Sequence, residues 1–242
     1  MADNNETLVF YREDSSGREI RMTKPENIYI YILKRILATS DKQILELMND
    51  GYSFLDRYFL MKIPLKHDMA ALMTQKVAQL SVDAKGKFTE EMYLLAQQVF
   101  PTDRRFHLEP EFDSAGAAST IRAYMDYWKN VGATVLKIVE HEELLGFTIL
   151  QRVSDDAYEN VLGVTRPGIK GKMAAYPLYC GMLDYIKAQS GTKYIGRVST
   201  ANIPSVNLHL QLGAKIRNVY DEYILRKKPR QKLTDRKEGT AL

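Results

Sequence analysis

The order of patterns between residues 134 and 226 constrains the fold more than any other feature. TVLKIVE (134–140) and GFTILQRV (146–153) are apolar, β-branched runs joined by a short polar turn, as an antiparallel hairpin requires. YENVLGV (158–164) reads as a third strand. A glycine-containing basic turn, RPGIKGK, then leads into a long helix reaching about residue 189. YIGRVST (194–200) is a short strand, a helix over 203–212 follows, and AKIRNVYDEYILRK closes as a strand. A strand that returns through a helix lies parallel to its neighbour, whereas a hairpin is antiparallel. The chain is therefore expected to form an α/β (α+β) fold with a mixed central sheet flanked by helices.

Upstream the signals are less uniform. LVFYR (8–12) is a strand pattern, and ENIYIYILKRILATS (26–40) mixes strand and helix signals. DKQILELMNDGY sets Ile44, Leu45 and Met48 at helical spacing and stops at Gly51. RYFLMKIPL (57–65) alternates and ends at Pro64, as a strand does. Two helical stretches, MAALMTQKVAQL (69–80) and FTEEMYLLAQQVF (88–100), flank a VDAKGK turn. PTDRRFHLEPEFD (101–113) reads as an irregular loop. ASTIRAYMDYWKNV (118–131) is a helix with Ile121, Tyr124, Met125 and Trp128 on one side.

Composition narrows the class. A chain of 242 residues makes one large domain or two small ones. Its single cysteine, Cys180, excludes an intramolecular disulfide and a cysteine-based metal site; it lies among apolar helix residues, as a buried structural thiol does. No metal site is expected. No apolar run is long enough to span a bilayer, and MADNNETLVFYRED lacks the basic and apolar regions of an export signal, so a cytoplasmic, membrane-free setting is expected. The net charge of +4 is concentrated at the C-terminus, where residues 226–242 carry seven Lys/Arg against Asp235 and Glu238. Residues 227–242 read as a basic flexible tail. A nucleic-acid surface needs basic residues interleaved with aromatics on a folded face, so no nucleic-acid partner is expected.

Two places carry chemistry. In TRPGIKGKMAAYPLYCGMLDYI, a strand enters a turn with Gly168 and Gly171 among Arg166, Lys170 and Lys172. The helix that follows offers free N–H groups and the positive end of its dipole, which suit a pyrophosphate. In TANIPSVNLHLQLGAKI, Asn202 is a good N-cap and Pro204 sits in the first turn. At 100° per residue, Asn202, Ser205 and His209 fall within roughly 60° of one another on one face. Capping and solvation are the plain alternatives for these three residues.

Together and in this order, the two segments resemble the acetyl-CoA-dependent N-acetyltransferases of the GNAT superfamily. The family loop Gln/Arg-x-x-Gly-x-Gly/Ala corresponds to Lys170-Gly171-Lys172-Met173-Ala174-Ala175. The more specific later pattern, Asn-x-x-Ala/Ser-x-x-Leu-Tyr-x-Lys/Gln-x-Gly, corresponds to Asn202, Ser205, Leu208, His209, Gln211 and Gly213. QILELMNDGYSFLDRYFLMKIPL, the loop DRRFHLEPEFDSAG, the helix after it and the ending GAKIRNVYDEYILR are similar to sugar-nucleotide acetyltransferases of the dTDP-fucosamine type, in which a truncated lobe precedes the catalytic one. That likeness implies a smaller GNAT-like N-terminal lobe over 1–66, a GNAT acetyltransferase domain over 67–226, and the tail.

The resemblance implies acetyl transfer from acetyl-CoA to a primary amine, favouring an amino-sugar nucleotide. A peptide, polyamine or other small amine, and a CoA- or ligand-binding protein without turnover, are the alternatives. It implies that Leu162, Gly163 and Val164 pair with the pantetheine arm through their backbone. The N–H groups of Gly171, Lys172, Met173, Ala174 and Ala175 hold the pyrophosphate beside Lys170, and Asn202 and Ser205 contact the arm. His209 stands where the family often places the tyrosine that protonates the leaving thiolate; Tyr176, Tyr179 and Tyr220 are alternatives. Glu140, Glu159 or a water chain serves as base. For a nucleotide-sugar acceptor, Arg104, Arg105 and His107 of the irregular loop are expected to meet phosphate or sugar, with a charged solvated loop as the alternative. Met173 departs from the glycine of the loop pattern, and Pro177 lies early in the helix. The final strand is expected to be available for pairing in a homodimer.

Overall fold

A computed structural model describes residues 8–14, 17–23, 27–65, 80–83, 87–100, 106 and 114–231. Ten strands form one sheet: β1 (Leu8–Asp14), β2 (Gly17–Thr23), β3 (Asn27–Leu37), β4 (Ser53–Pro64), β5 (Leu80–Asp83), β6 (Thr134–Glu140), β7 (Glu143–Arg152), β8 (Ala157–Thr165), β9 (Lys193–Ser199) and β10 (Lys215–Gln231). The helices are α1 (Asp41–Asn49), α2 (Glu90–Val99), α3 (Ser114–Asn130), α4 (Ile169–Ala188) and α5 (Ile203–Gln211). The strand order is β1-β2-β3-β10-β4-β9-β8-β7-β6-β5. All pairings are antiparallel except β8 with β9, which the α4 crossover joins in parallel.

Two cores lie on opposite faces of the sheet. One packs α2 and α3 against it through Met92, Ile121, Tyr124, Met125, Phe147 and Ile149, and includes Tyr11, Ile20 and Met22 of β1 and β2. The other packs α4 and α5 through Met182, Leu183, Ile186, Val206 and Leu212 against Met61, Ile63, Tyr158 and Tyr194. The N-terminal segment therefore shares its core and its sheet with the rest of the chain. The sequence boundary at residue 66 does not separate two cores.

Several local readings differ from the expectation. GREIRMT is β2, a strand the pattern did not reveal, and 27–37 resolves its mixed signals as a strand because β2 and β10 pair with its two edges. LSVD, placed at the join of an expected helix and turn, is β5, paired with β6. The expected helix over 69–80 otherwise lies outside the described residues. β10 continues to Gln231, five residues into the expected tail. Between 220 and 224 it is flanked on both sides by β3 and β4, so this stretch has no free edge for a partner strand. No helix among the described residues is long and apolar enough to cross a membrane.

Candidate functional site

The site begins where two strands part. β8 and β9 pair only from Ala157 opposite Lys193 to Asn160 opposite Gly196. Beyond Asn160, residues 162–165 pair with β7 alone among the described residues, leaving one edge of β8 without a described neighbouring strand. A bulge at Val161 separates Ile149 opposite Leu162 from Leu150 opposite Asn160. Such a bulge shifts the alternation by one residue. Leu162 and Val164 consequently join the α2–α3 core, while Gly163 and Thr165 turn to the α4–α5 face. The Tyr124 hydroxyl donates to the Val161 carbonyl at 2.7 Å and fixes the bulge.

On the α4–α5 face the parting opens a cavity of about 410 Å³. Its wall is Gly163 and Thr165 of β8, Lys172, Ala175, Tyr176 and Tyr179 of α4, Asn202, Pro204, Ser205, Asn207, Leu208 and Gln211 along α5, and Val99 with Phe100 at the end of α2. Gly163 is a glycine because a β-carbon there would lie 2.5 Å from the Tyr179 hydroxyl. That hydroxyl accepts a hydrogen bond from Asn160 Nδ2 at 2.9 Å, and Thr148 Oγ1 donates to Asn160 Oδ1 at 2.8 Å. Tyr179 is therefore held at the parting by a buried chain of hydrogen bonds.

The expected pyrophosphate loop forms the start of α4. Gly168 caps the helix at φ 94° without a side-chain hydrogen bond, so its first N–H groups receive no cap from the N-cap residue. Gly171 packs against its own turn, since a β-carbon would lie 1.6 Å from the Arg166 carbonyl oxygen. Lys170 reaches Glu143 at 3.2 Å, and Arg166 reaches the same carboxylate at 3.3 Å. Ala174 is buried against Ile138, Leu145 and Leu178. Met173 is 72% exposed and packs against no core. Pro177 lies within α4 and cannot donate to the Met173 carbonyl. At α5 the Asn202 side chain accepts from the Ser205 N–H at 3.1 Å, so Asn202 caps the helix while lining the cavity.

The structure places His209 in the core beneath its own helix. It is 1% exposed and does not line the cavity. Its Nδ1 lies 2.7 Å from the Ser205 carbonyl, and its Nε2 lies 2.7 Å from the Tyr194 hydroxyl. A carbonyl only accepts, so Nδ1 carries the proton and Nε2 accepts from Tyr194. Burial pushes the His209 pKa down, partly opposed by the bond to Ser205. The ring packs edge-on against Tyr179 of the cavity wall, with centroids 5.2 Å apart. Gly196 makes room for it, as a β-carbon there would lie 2.9 Å from both Nε2 and the Tyr194 oxygen.

On the other face the parting opens into charge. A small crevice of about 40 Å³ is lined by Glu13, Arg18, Arg35, Tyr58, Tyr124, Glu159, Asn160, Val161 and Arg197. Asn160 thus contributes to this crevice and bonds to Tyr179 on the opposite cavity's wall. Arg197 pairs with Glu159 at 2.7 Å and with Glu13 at 3.6 Å. Arg35 pairs with Glu222 at 3.3 Å and Glu13 at 3.6 Å, and Arg18 pairs with the fully buried Glu222. Burial raises the Glu159 pKa, with Arg197 opposing it. Glu140, the other expected base, sits at the β6–β7 turn opposite Glu143 and lines neither cavity. Arg104, Arg105 and His107 lie outside the described residues. Tyr220 is on the charged face, away from α4 and α5. Arg197, Asn160 and Arg35 were not singled out from sequence. The available signal was a glycine inside each of two strand patterns, Gly163 and Gly196, which marks close approach of another group.

No family model and no curated protein matches the sequence. Solved structures do. A tandem GNAT protein from the clavulanic acid biosynthesis pathway superposes with a TM-score of 0.59 at 10% identity, covering 89% of this chain and 81% of that one. The chain has the GNAT fold. A GCN5-related N-acetyltransferase from Sphaerobacter thermophilus gives a TM-score of 0.54 at 11% identity over 82% of this chain, which spans 60% of that protein's length. A glucosamine N-acetyltransferase region of a fungal multi-domain β-N-acetylglucosaminidase gives 0.51 at 13% identity over 78% of this chain and 23% of that one.

Proposed function

We propose that the chain is an acetyl-CoA-dependent N-acetyltransferase acting on a primary amine. The observation that carries this reading is the parting beyond Asn160. A cavity lined by α4 and α5 lies on one side and a carboxylate-bearing crevice on the other, and the bulged segment 160–163 contributes to both. The large cavity suits the extended arm of CoA: Gly163 and Thr165 offer backbone, the first turn of α4 offers N–H groups, and Lys172 stands at its side. Fold alone does not fix chemistry, so the assignment rests on these residues.

Glu159 takes a proton from the acceptor ammonium, directly or through water, and the raised pKa given by burial suits it as a base. The amine nitrogen attacks the thioester carbonyl carbon, the C–S bond breaks, and the sulfur leaves with its electron pair. Tyr179, on the cavity wall and ordered by Asn160, donates the proton that the sulfur takes up, and the excess proton on the new amide nitrogen returns through water to the Tyr179 phenolate. Most of the acceleration comes from holding the two substrates in line across the parting. The acceptor suggested by the sequence pattern, and the first to be tried, is an amino-sugar nucleotide.

The test is thermal unfolding with millimolar acetyl-CoA against ATP, followed by thiol release in an amine screen. Acetyl-CoA at a hundred times Kd adds about 2.7 kcal/mol of stability. A rise with acetyl-CoA alone, followed by amine-dependent thiol release, is expected. No shift with acetyl-CoA overturns the reading.

A further inference from the structure

The charged crevice continues outward into a second hollow of about 230 Å³, bounded by Arg35, Lys62, Glu159, Arg197 and Tyr220. Glu159 lines both, so it stands at the junction. The charges here do not balance. Arg18, Arg35 and Arg197 are matched by Glu13, Glu159 and Glu222 through ion pairs. Lys62 is the surplus cation, and it makes no ion pair with a described residue. A second donor is also unspent: the Nε of Arg35 is buried without a hydrogen-bond partner among the described residues. A buried donor left unmade is costly, and such groups are normally satisfied by something.

We propose that this outer hollow binds an anionic group on the acceptor, a carboxylate or a phosphate, held by Lys62 and Arg35 while the amine lies at Glu159. The acceptor is thus an anionic amine. The inference rests on the acetyltransferase reading for the amine's role, and on the hollow alone for the anion. Charge-assisted bonds to a carboxylate or phosphate are the strong class, and one such contact supplies about tenfold in affinity.

Isothermal titration of matched amines into the full chain tests it without requiring turnover. L-Serine against ethanolamine isolates a carboxylate, and glucosamine 6-phosphate against glucosamine isolates a phosphate. The expected result is binding about tenfold tighter or more for the anionic member of at least one pair, with the pair identifying the source. In Lys62→Gln, a change at a half-buried side chain without an ion pair, that preference falls to within about twofold. Equal binding within both pairs, or a preference unchanged by Lys62→Gln, overturns the inference. Failure of acetyl-CoA to bind would instead overturn the acetyltransferase reading, and the two results are read separately.

Discussion

His209 and Tyr194 lock each other in place: the imidazole Nε2 accepts the Tyr194 hydroxyl at 2.7 Å while Nδ1 donates to Ser205 at the same distance. This makes His209 a pH-sensitive support. Its pKa in the folded chain is held below the value of about 6.5 expected when unfolded. Below about pH 6.5 the unfolded chain takes up a proton that the folded one refuses. The stabilising contribution is therefore present above that pH and declines as pH falls toward the folded value. Urea midpoints at pH 7.5 and 5.5 should fall on acidification in the parent. The fall should be smaller in His209→Gln.

Tyr179→Phe removes the proposed proton donor and keeps the ring. The expected loss is about 10²–10⁴-fold in kcat. The stability cost is about 1 kcal/mol, from Asn160 losing its acceptor. Acetyl-CoA titration should give a near-parental Kd. Unchanged kcat would remove Tyr179 from the chemistry.

Glu159→Gln tests the base. Activity should require the carboxylate and decline as pH falls through its raised pKa. The variant should lose about 10²-fold or more in kcat/KM, together with the acid limb that Glu159 contributes. An intact rate with an intact acid limb would assign proton removal to water.

Gly163→Ala places a methyl group where the Tyr179 hydroxyl stands, 2.5 Å away. The ring must shift into the cavity, so acetyl-CoA binding should weaken by tenfold or more. Gly213→Ala, whose β-carbon meets nothing within 4 Å but which sits at φ 82°, is the useful contrast. It should lower the melting temperature through backbone strain and leave acetyl-CoA affinity alone.

Arg18→Met removes a partner from Glu222, which is fully buried. Glu222 keeps its pair with Arg35, so the cost is that of one charge-assisted bond, about 1.5–3 kcal/mol, rather than that of a lone buried charge. Equilibrium urea unfolding should show that loss.

Where local chemistry decides structure, the sequence was readable. Asn202, Pro204 and Gly213 announce the start and stop of α5, and the hairpin and crossover patterns announce β6 through β10. Where distant partners decide, it was not. Residues 27–37 carry both periodicities, and only β2 and β10 settle them as a strand. The spacing that placed Asn202, Ser205 and His209 on one helix face was sound. Whether His209 met the cavity or the core depended on Tyr194 and Gly196, one strand away. The charged crevice was the least legible part, because Glu13, Arg18, Arg35, Glu159, Arg197 and Glu222 come from six strands spread over some two hundred residues.

The position of β4 between β9 and β10 sets the order in which the protein can be assembled. β4 is translated in the first quarter of the chain, yet both its partners lie beyond residue 190. During synthesis it must wait, with apolar residues such as Met61 and Ile63 uncovered, until β9 and β10 have also left the ribosome. Long-range closure of this kind is slow. A chain cut short before β10 leaves both β3 and β4 with an open edge, so incomplete products should be aggregation-prone and short-lived.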